Sequence, residues 1–255
     1  MKGILAILAA VAFLGATPAP VETTFLAGET LDYTLTWMKV TGGTARMTIS
    51  PVEEKTAFRI TSVARSGGGL GRLVKVRDRI VTTVAREDFS TLRIVKDLDE
   101  RGNKLQETTV IDDGVATRKR KHLRKLPVPR PVLDPISVIY HLRTLDLSPG
   151  KAYDFTLYAD LKLYDVHARV IRREVVQTPA GTFNCVLIEP DMKNAGVARE
   201  ERLFIWYSDD DRRLPVRIRT EVKFGSVTAT LRAVQGGVDS IEAPALTPAE
   251  TKPAR

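Results

Sequence analysis

The chain has 255 residues, 39 Lys and Arg against 31 Asp and Glu, and a hydrophobic share of 43%, which is enough apolar material for a sizeable core. Its formal net charge of +8 suits acidic partners, but charge decides attraction and solubility, not chemistry. The single cysteine, Cys185, excludes an internal disulfide and, set within Thr182-Phe183-Asn184-Cys185-Val186-Leu187-Ile188, reads as a small core hydrophobe.

Met1-Lys2 followed by the apolar run Gly3 to Leu14 and by Gly15, Ala16 and Ala19 has the layout of a secretory signal peptide over residues 1–19, the run being too short to span a bilayer. An uncleaved anchor is the alternative. The expected address is the periplasm, and without a cysteine after the run a lipoprotein is not expected. One β-rich domain is expected over 20–235, with a disordered Pro, Ala, Thr and Glu tail over 236–255.

From Phe25 to Met38, Leu31, Tyr33, Leu35 and Trp37 alternate with Asp32, Thr34 and Thr36, the pattern of a half-buried strand. Gly42-Gly43 is expected to turn this strand into Thr44–Ser50, and Phe58, Ile60, Ser62 and Ala64 continue the inward face. Gly67-Gly68-Gly69-Leu70-Gly71 lacks the Gly-Lys-Ser/Thr ending of a phosphate loop and reads as a connection. Asp78 lies in the apolar register of Val74, Val76, Ile80 and Val84, so once buried it needs an ion-pair partner such as Arg65 or Arg93, or a proton. Strands follow near 91–98 and 105–111, with turns at Gly102-Asn103 and Asp112-Asp113-Gly114. The basic ribbon Arg118, Lys119, Arg120, Lys121, Arg124 and Lys125 is either a solvated sheet edge or a landing site for phosphate or carboxylate groups. No aromatics interleave these cations, which argues against nucleic acid.

Leu133 to Arg143 is the one convincing helix. Asp134 is placed to cap it, Pro135 occupies the first helical position, and Leu133 with Val138 forms a hydrophobic staple. Ile136, Ile139, Tyr140 and Leu142 make the apolar stripe. Further strands run over 153–159, 162–176, 182–189, 200–207, 215–224 and 227–234, with turns at Pro149-Gly150, Pro179-Ala180-Gly181 and Gly225-Ser226. Asp209-Asp210-Asp211 lacks the alternating ligands of a calcium loop and reads as a charged turn. The fold class is therefore mainly β, a bent antiparallel sheet forming a barrel or half-barrel of about ten to thirteen strands around one short central helix.

The histidines, His122, His141 and His167, are dispersed, and neither a serine elbow nor a paired-ligand motif is present. No catalytic residue, metal site or cofactor is expected. The combination Gly28-Glu29-x-Leu31-x-Tyr33, Leu133-Asp134-Pro135 leading to Tyr140, Pro179-Ala180-Gly181-Thr182-Phe183 and Trp206-Tyr207-Ser208-Asp209 ending in Arg213-Leu214-Pro215 resembles the bacterial family called domain of unknown function 3108. The resemblance implies an exported envelope protein with a bent, barrel-like sheet, and it carries no functional residue over.

The expected function is a non-catalytic binding or carrier module for an amphipathic or acidic envelope component, a lipid or an anionic glycan. Tyr33, Trp37, Asp78, Tyr140, His141 and Phe155 would face the interior, and the basic ribbon would meet the anionic group or a membrane surface. One alternative is a structural or assembly protein contacting another envelope protein. Another is a hydrolase of envelope polymers, which requires Asp78, His141 or another acid to meet in an open cleft.

Overall fold

The structure is a computed structural model and describes residues 28–52, 56–67, 75–194, 197–198, 202–223 and 225–236. The expected signal peptide and tail lie outside the described residues. The strands are β1 (Thr30–Trp37), β2 (Val40–Pro51), β3 (Ala57–Ser66), β4 (Val76–Ala85), β5 (Thr91–Glu100), β6 (Asn103–Asp112), β7 (Val115–Lys119) and β8 (Leu123–Pro127). After the helix α1 (Ser137–His141) come β9 (Ala152–Ala159), β10 (Lys162–Thr178), β11 (Gly181–Asn194), β12 (Val197–Ala198), β13 (Arg202–Ser208), β14 (Pro215–Val222) and β15 (Gly225–Gln235).

Every named strand belongs to one antiparallel sheet, in the order β8-β7-β6-β5-β4-β3-β2-β1-β15-β14-β13-β11-β10-β9, with β12 beside β11. The first and last strands therefore pair in its middle, Leu31 opposite Val234 and Trp37 opposite Val227. The ends of the order, β8 and β9, do not pair with each other. The segment between β8 and α1 spans that gap instead. Val128 N–H donates to Gly114 (2.8 Å), Thr91 N–H to Val132 (2.8 Å), Leu133 N–H to Thr156 (3.0 Å) and Tyr158 N–H to Leu133 (2.7 Å). These bonds engage backbone groups of a segment outside the named strands and link the β5–β7 side of the open sheet to β9.

Because the neighbours are antiparallel, hairpin turns fall alternately on two rims. The upper rim carries the β1–β2, β3–β4, β5–β6, β7–β8, β9–β10 and β14–β15 connections, and the lower rim the β2–β3, β4–β5, β6–β7, β10–β11 and β13–β14 connections. The first turn differs from the expectation of Gly42-Gly43. Trp37 pairs with Val40, and Met38 and Lys39 make the turn with φ of 47° and 70°, the left-handed geometry that a tight hairpin demands. Gly43 lies inside β2, where a Cβ would stand 2.2 Å from the Arg65 carbonyl oxygen; the glycine serves close strand approach, not a turn. Likewise Val222 pairs with Gly225, so the last hairpin turns ahead of the expected Gly225-Ser226.

α1 is shorter than the expected 133–143 helix, ending in a 3-10 turn over Leu142–Thr144. Its entry is built as the local residues dictate. The Asp134 carboxylate accepts the Ile136 N–H (2.8 Å), Val138 N–H bonds the Asp134 carbonyl (3.0 Å), and Asp134 N–H donates in return to Ser137 Oγ (2.7 Å). Val138, Ile139, Tyr140 and Leu142 join Leu31, Tyr33, Phe58, Phe89, Ile205, Tyr207 and Val216 in the main core. A smaller core of Ile94, Ile111, Ala116, Val128, Val132 and Tyr158 lies under β5 to β8.

Candidate functional site

α1 fills the lower half of the shell and is fastened there from several directions. Arg143 reaches Glu29 through two bonds, 2.6 and 2.9 Å, and donates to the Arg212 carbonyl at 2.8 Å. The Tyr207 hydroxyl donates to the Ile139 carbonyl (2.9 Å), and His141 Nδ1 lies 3.1 Å from the Asp88 carbonyl in the lower β4–β5 turn. Burial lowers the His141 pKa from its ordinary value against the pull of that carbonyl, and so favours the neutral ring, whose Nδ1 then carries the proton. Asp134 sits beneath the plug, fully buried, with Thr82 Oγ1 (3.2 Å) and Thr91 Oγ1 (2.8 Å) donating to it. Burial raises its pKa, and the surrounding donors only partly offset that.

The upper half is different. Leu35, Ala64, Val76, Ile80, Leu98 and Leu105 stand on the concave face by register, yet each is only half-buried. An apolar cleft of about 200 Å³ opens there, lined by Leu35, Trp37, Ala64, Val76 and Val227 among others. Deeper along the trough, a narrower cavity of about 120 Å³ lies between Ile80, Ile94, Pro135, Ile136 and Tyr158, with Lys96 and Asp160 at its edge. The buried Tyr158 hydroxyl has no hydrogen-bond partner among the described residues. Lys96 Nζ bonds Asp160 (2.6 Å) and lies 3.6 Å from the buried Glu107, which Arg118 approaches at 3.5 Å. Burial pushes the Asp160 carboxyl up, but Lys96 outweighs it and holds the group below the usual carboxylate range.

These positions correct several sequence expectations. Tyr33 (2% exposed, its hydroxyl donating to the Pro215 carbonyl at 2.9 Å) and Tyr140 (0% exposed) are packed core and present no surface to a ligand. Trp37 is not interior; it is 42% exposed on the lip of the cleft, because β1 runs past the core before it turns. Phe155, on β9, is half-buried and meets His141 edge-on at 6.1 Å. Asp78 has no ion pair to Arg65 or Arg93 among the described residues; it accepts the Asp99 N–H at 3.3 Å, and burial with Glu100 and Asp99 nearby raises its pKa. Asp78 lies near the upper end of β4, whereas His141 on α1 meets the Asp88 carbonyl beyond the lower end of that strand, so these two groups do not come together. Within the basic ribbon Arg118 turns inward to Glu107, while Lys119, Arg120, Lys121, Arg124 and Lys125 are exposed on the β7–β8 edge hairpin.

Sequence reasoning missed Lys96, Glu107, Tyr158 and Asp160, which meet only through pairing of β5 with β6 and the approach of β9. It also missed Val76 and Val227 as cleft walls. Their alternation was visible, but not that the plug would stop short of them. Asp210 accepts the Ser208 hydroxyl (2.6 Å) and the Arg212 guanidinium (2.9 Å) within its charged turn, and burial pushes the Cys185 thiol up to about 12.

The shell is similar to a solved beta-barrel-like protein of domain of unknown function DUF1849 from Brucella abortus, with a TM-score of 0.59, 12% identity, and coverage of 81% of this chain and 96% of that one. At that identity the likeness is one of fold. Weaker matches, both at a TM-score of 0.33, are a candidate exported protein with a YmcC-like fold from Bacteroides fragilis (13% identity, 82% and 96% coverage) and a candidate lipoprotein from Parabacteroides distasonis (11% identity, 83% and 96% coverage). No curated protein matches the sequence. The family model described as protein of unknown function (DUF3108) matches residues 32–232, and the chain belongs to that family.

Proposed function

We propose that the protein is a non-catalytic carrier or binding module of the bacterial envelope, exported by its N-terminal segment, and that it holds part of an acyl-bearing, acidic envelope component in the upper half of the trough. The observation that carries this reading is the unfilled apolar cleft lined by Leu35, Trp37, Ala64, Val76 and Val227 above a plug that occupies only the lower half. Ligand sites combine apolar walls with a few placed polar groups, and here exposed cations on the β7–β8 hairpin occupy the same rim as the cleft mouth. At about 200 Å³ the cleft suits the end of an acyl chain, leaving the remainder and the headgroup at the rim. Glycan binding is less well supported, since the lining is almost wholly apolar.

Organic extraction of the purified protein followed by mass spectrometry is expected to yield an acyl lipid. A fluorescent fatty acid should bind, and Ala64→Phe, which fills the cleft from a half-buried position, should weaken that binding about tenfold or more. An empty extract together with no uptake of the probe, or an Ala64→Phe variant that binds unchanged, would overturn the carrier reading. The assembly alternative draws on the outer edges of β8 and β9, which carry no neighbouring strand among the described residues; it predicts instead capture of an envelope protein that is lost when β8 is studded with prolines.

A further inference from the structure

The exposed large apolar side chains are not scattered over the molecule. Trp37 (42% exposed), Met38 (64%), Val40 (51%), Leu123 (61%) and Val227 (45%) all stand at strand ends or turns of the upper rim, whereas Val110, Ile171 and Val175 are the others so exposed among the described residues. The same rim gathers positive charge. Its described turns carry Lys39, Lys75, Arg101, Arg120, Lys121 and Lys223, all exposed. The acid in those turns is Asp160, already paired with Lys96, while Glu100 ends β5 beside Arg101. The lower turns have the opposite balance, Glu87, Asp88, Asp113 and Asp209 to Asp211 against Arg86, Arg212 and Arg213.

We infer that the upper rim is a membrane-docking edge, with the Trp37–Val40 hairpin and Val227 entering the interfacial layer of an anionic bilayer while the turn cations meet lipid phosphates. A tryptophan flanked by aliphatics and lysines is the composition that settles at the headgroup level. Each Lys or Arg near an anionic surface strengthens binding about fivefold, and the excess of acid on the far rim orients the molecule end-on. The hairpin is also braced for this. Gly225 has φ of 120°, and a Cβ there would meet Met38 Cγ at 2.7 Å and Trp37 Nε1 at 3.1 Å, so the β14–β15 turn supports the apolar tip closely from beneath. Docking in this pose brings the mouth of the cleft against the bilayer. The inference does not need a cargo in the trough, since vesicle capture and lipid extraction fail or succeed separately.

The test is co-sedimentation of the purified protein, its N-terminus read by mass spectrometry, with vesicles of phosphatidylglycerol and phosphatidylethanolamine and with vesicles of phosphatidylcholine. Binding is expected to the anionic vesicles and to weaken as salt is raised. Lipids brominated near the headgroup should quench the fluorescence, and Trp37→Phe should abolish the quenching, because the remaining indole, Trp206, is buried. Met38→Asp and the pair Arg120→Glu with Lys121→Glu should each weaken capture tenfold or more. Glu87→Lys on the lower rim should not weaken it. All these side chains are exposed, and an unchanged thermal transition verifies that each variant folds. Absence of capture at low salt, equal capture of the rim variants, or binding to soluble dextran sulfate without binding to vesicles would overturn the inference, the last identifying a soluble polyanion as the partner.

Discussion

Arg143 and Glu29 show how a single long-range pair fixes the plug. Both are 4% exposed, joined by two parallel bonds, and the guanidinium also lies 5.4 Å above the Tyr140 ring. Such a fork-to-fork pair is directional as well as strong. Taking both charges out of water consumes most of what their attraction returns, so the pair adds little net stability. Breaking it is another matter. Arg143→Met leaves the Glu29 carboxylate buried without its cation, and unfolding in urea should show a loss of about 3–5 kcal/mol. Adding Glu29→Leu should restore much of that loss, because no buried charge then remains. A double variant as unstable as the sum of two single variants would mean that the pair is not coupled as the geometry says. By contrast Arg46 with Asp32 and Arg202 with Glu189 are open to solvent on the cation's side, and surface pairs of this kind carry little energy.

At the scale of one element, α1 has too few residues to be helical alone, and packing and capping must hold it. Asp134 supplies the cap and also anchors Thr82 on β4 and Thr91 on β5. Asp134→Ala removes an acceptor from the Ile136 N–H and from two buried hydroxyls, a loss of about 3 kcal/mol in chemical unfolding. Asp134→Asn keeps the acceptor for Ile136 and can donate to Thr91 Oγ1, so it should lose about 1 kcal/mol or less. The pH dependence separates the two effects. Burial raises the folded pKa of Asp134, so the unfolded chain releases its proton first, and the native protein loses stability as pH rises from about 3.9 to the higher folded value. Asp134→Asn should remove that part of the decline, and an unaltered profile would show that Asp134 is not the group responsible. The cap was legible in the sequence because Asp134, Pro135 and Ser137 act within one turn. So was the inward alternation of Leu31 with Tyr33, and of Val216 with Ile218. Arg143 was legible only as a helix-end cation, since its partner lies 114 residues away and nothing local points to it. Trp37 was misplaced for a related reason. Alternation records which face of a strand a residue takes, not where along the strand the core ends. The turn at Met38-Lys39 was hidden because neither residue is a usual left-handed one, while Gly43 nearby offered a false signal.

For the whole molecule, the sheet order makes one continuous structure, but its stability is not uniform. β1, β2, β13, β14 and β15 surround the main core with the plug, whereas β7 and β8 are five-residue strands at one end of the sheet, over the smaller core. β8 is exposed at every position except Leu126. Its outer edge lacks a strand partner among the described residues, and the segment from Val128 to Leu133 ties that side to β5 and β9. Elements with few buried contacts and an unpaired edge open in sub-global steps below the global unfolding free energy. The β7–β8 hairpin should therefore lose hydrogen-exchange protection first, followed by β6, while amides of β1, β2 and β14 exchange only with global unfolding. Such an opening would uncover the cavity beside Ile94 and Tyr158 and widen the trough from the side, without disturbing Arg143 or the Asp134 cap. Under the proposed carrier role, cargo needs a route into a shell whose lower half is plugged, and this hairpin is the wall with the least buried surface to disrupt. Tethering Ala116 to Leu126 by a cross-strand disulfide, at directly paired positions of β7 and β8, should suppress the early exchange and slow fatty-acid uptake several-fold if the side is the entrance. Uptake at an unchanged rate in the tethered protein would leave the upper mouth as the sole way in.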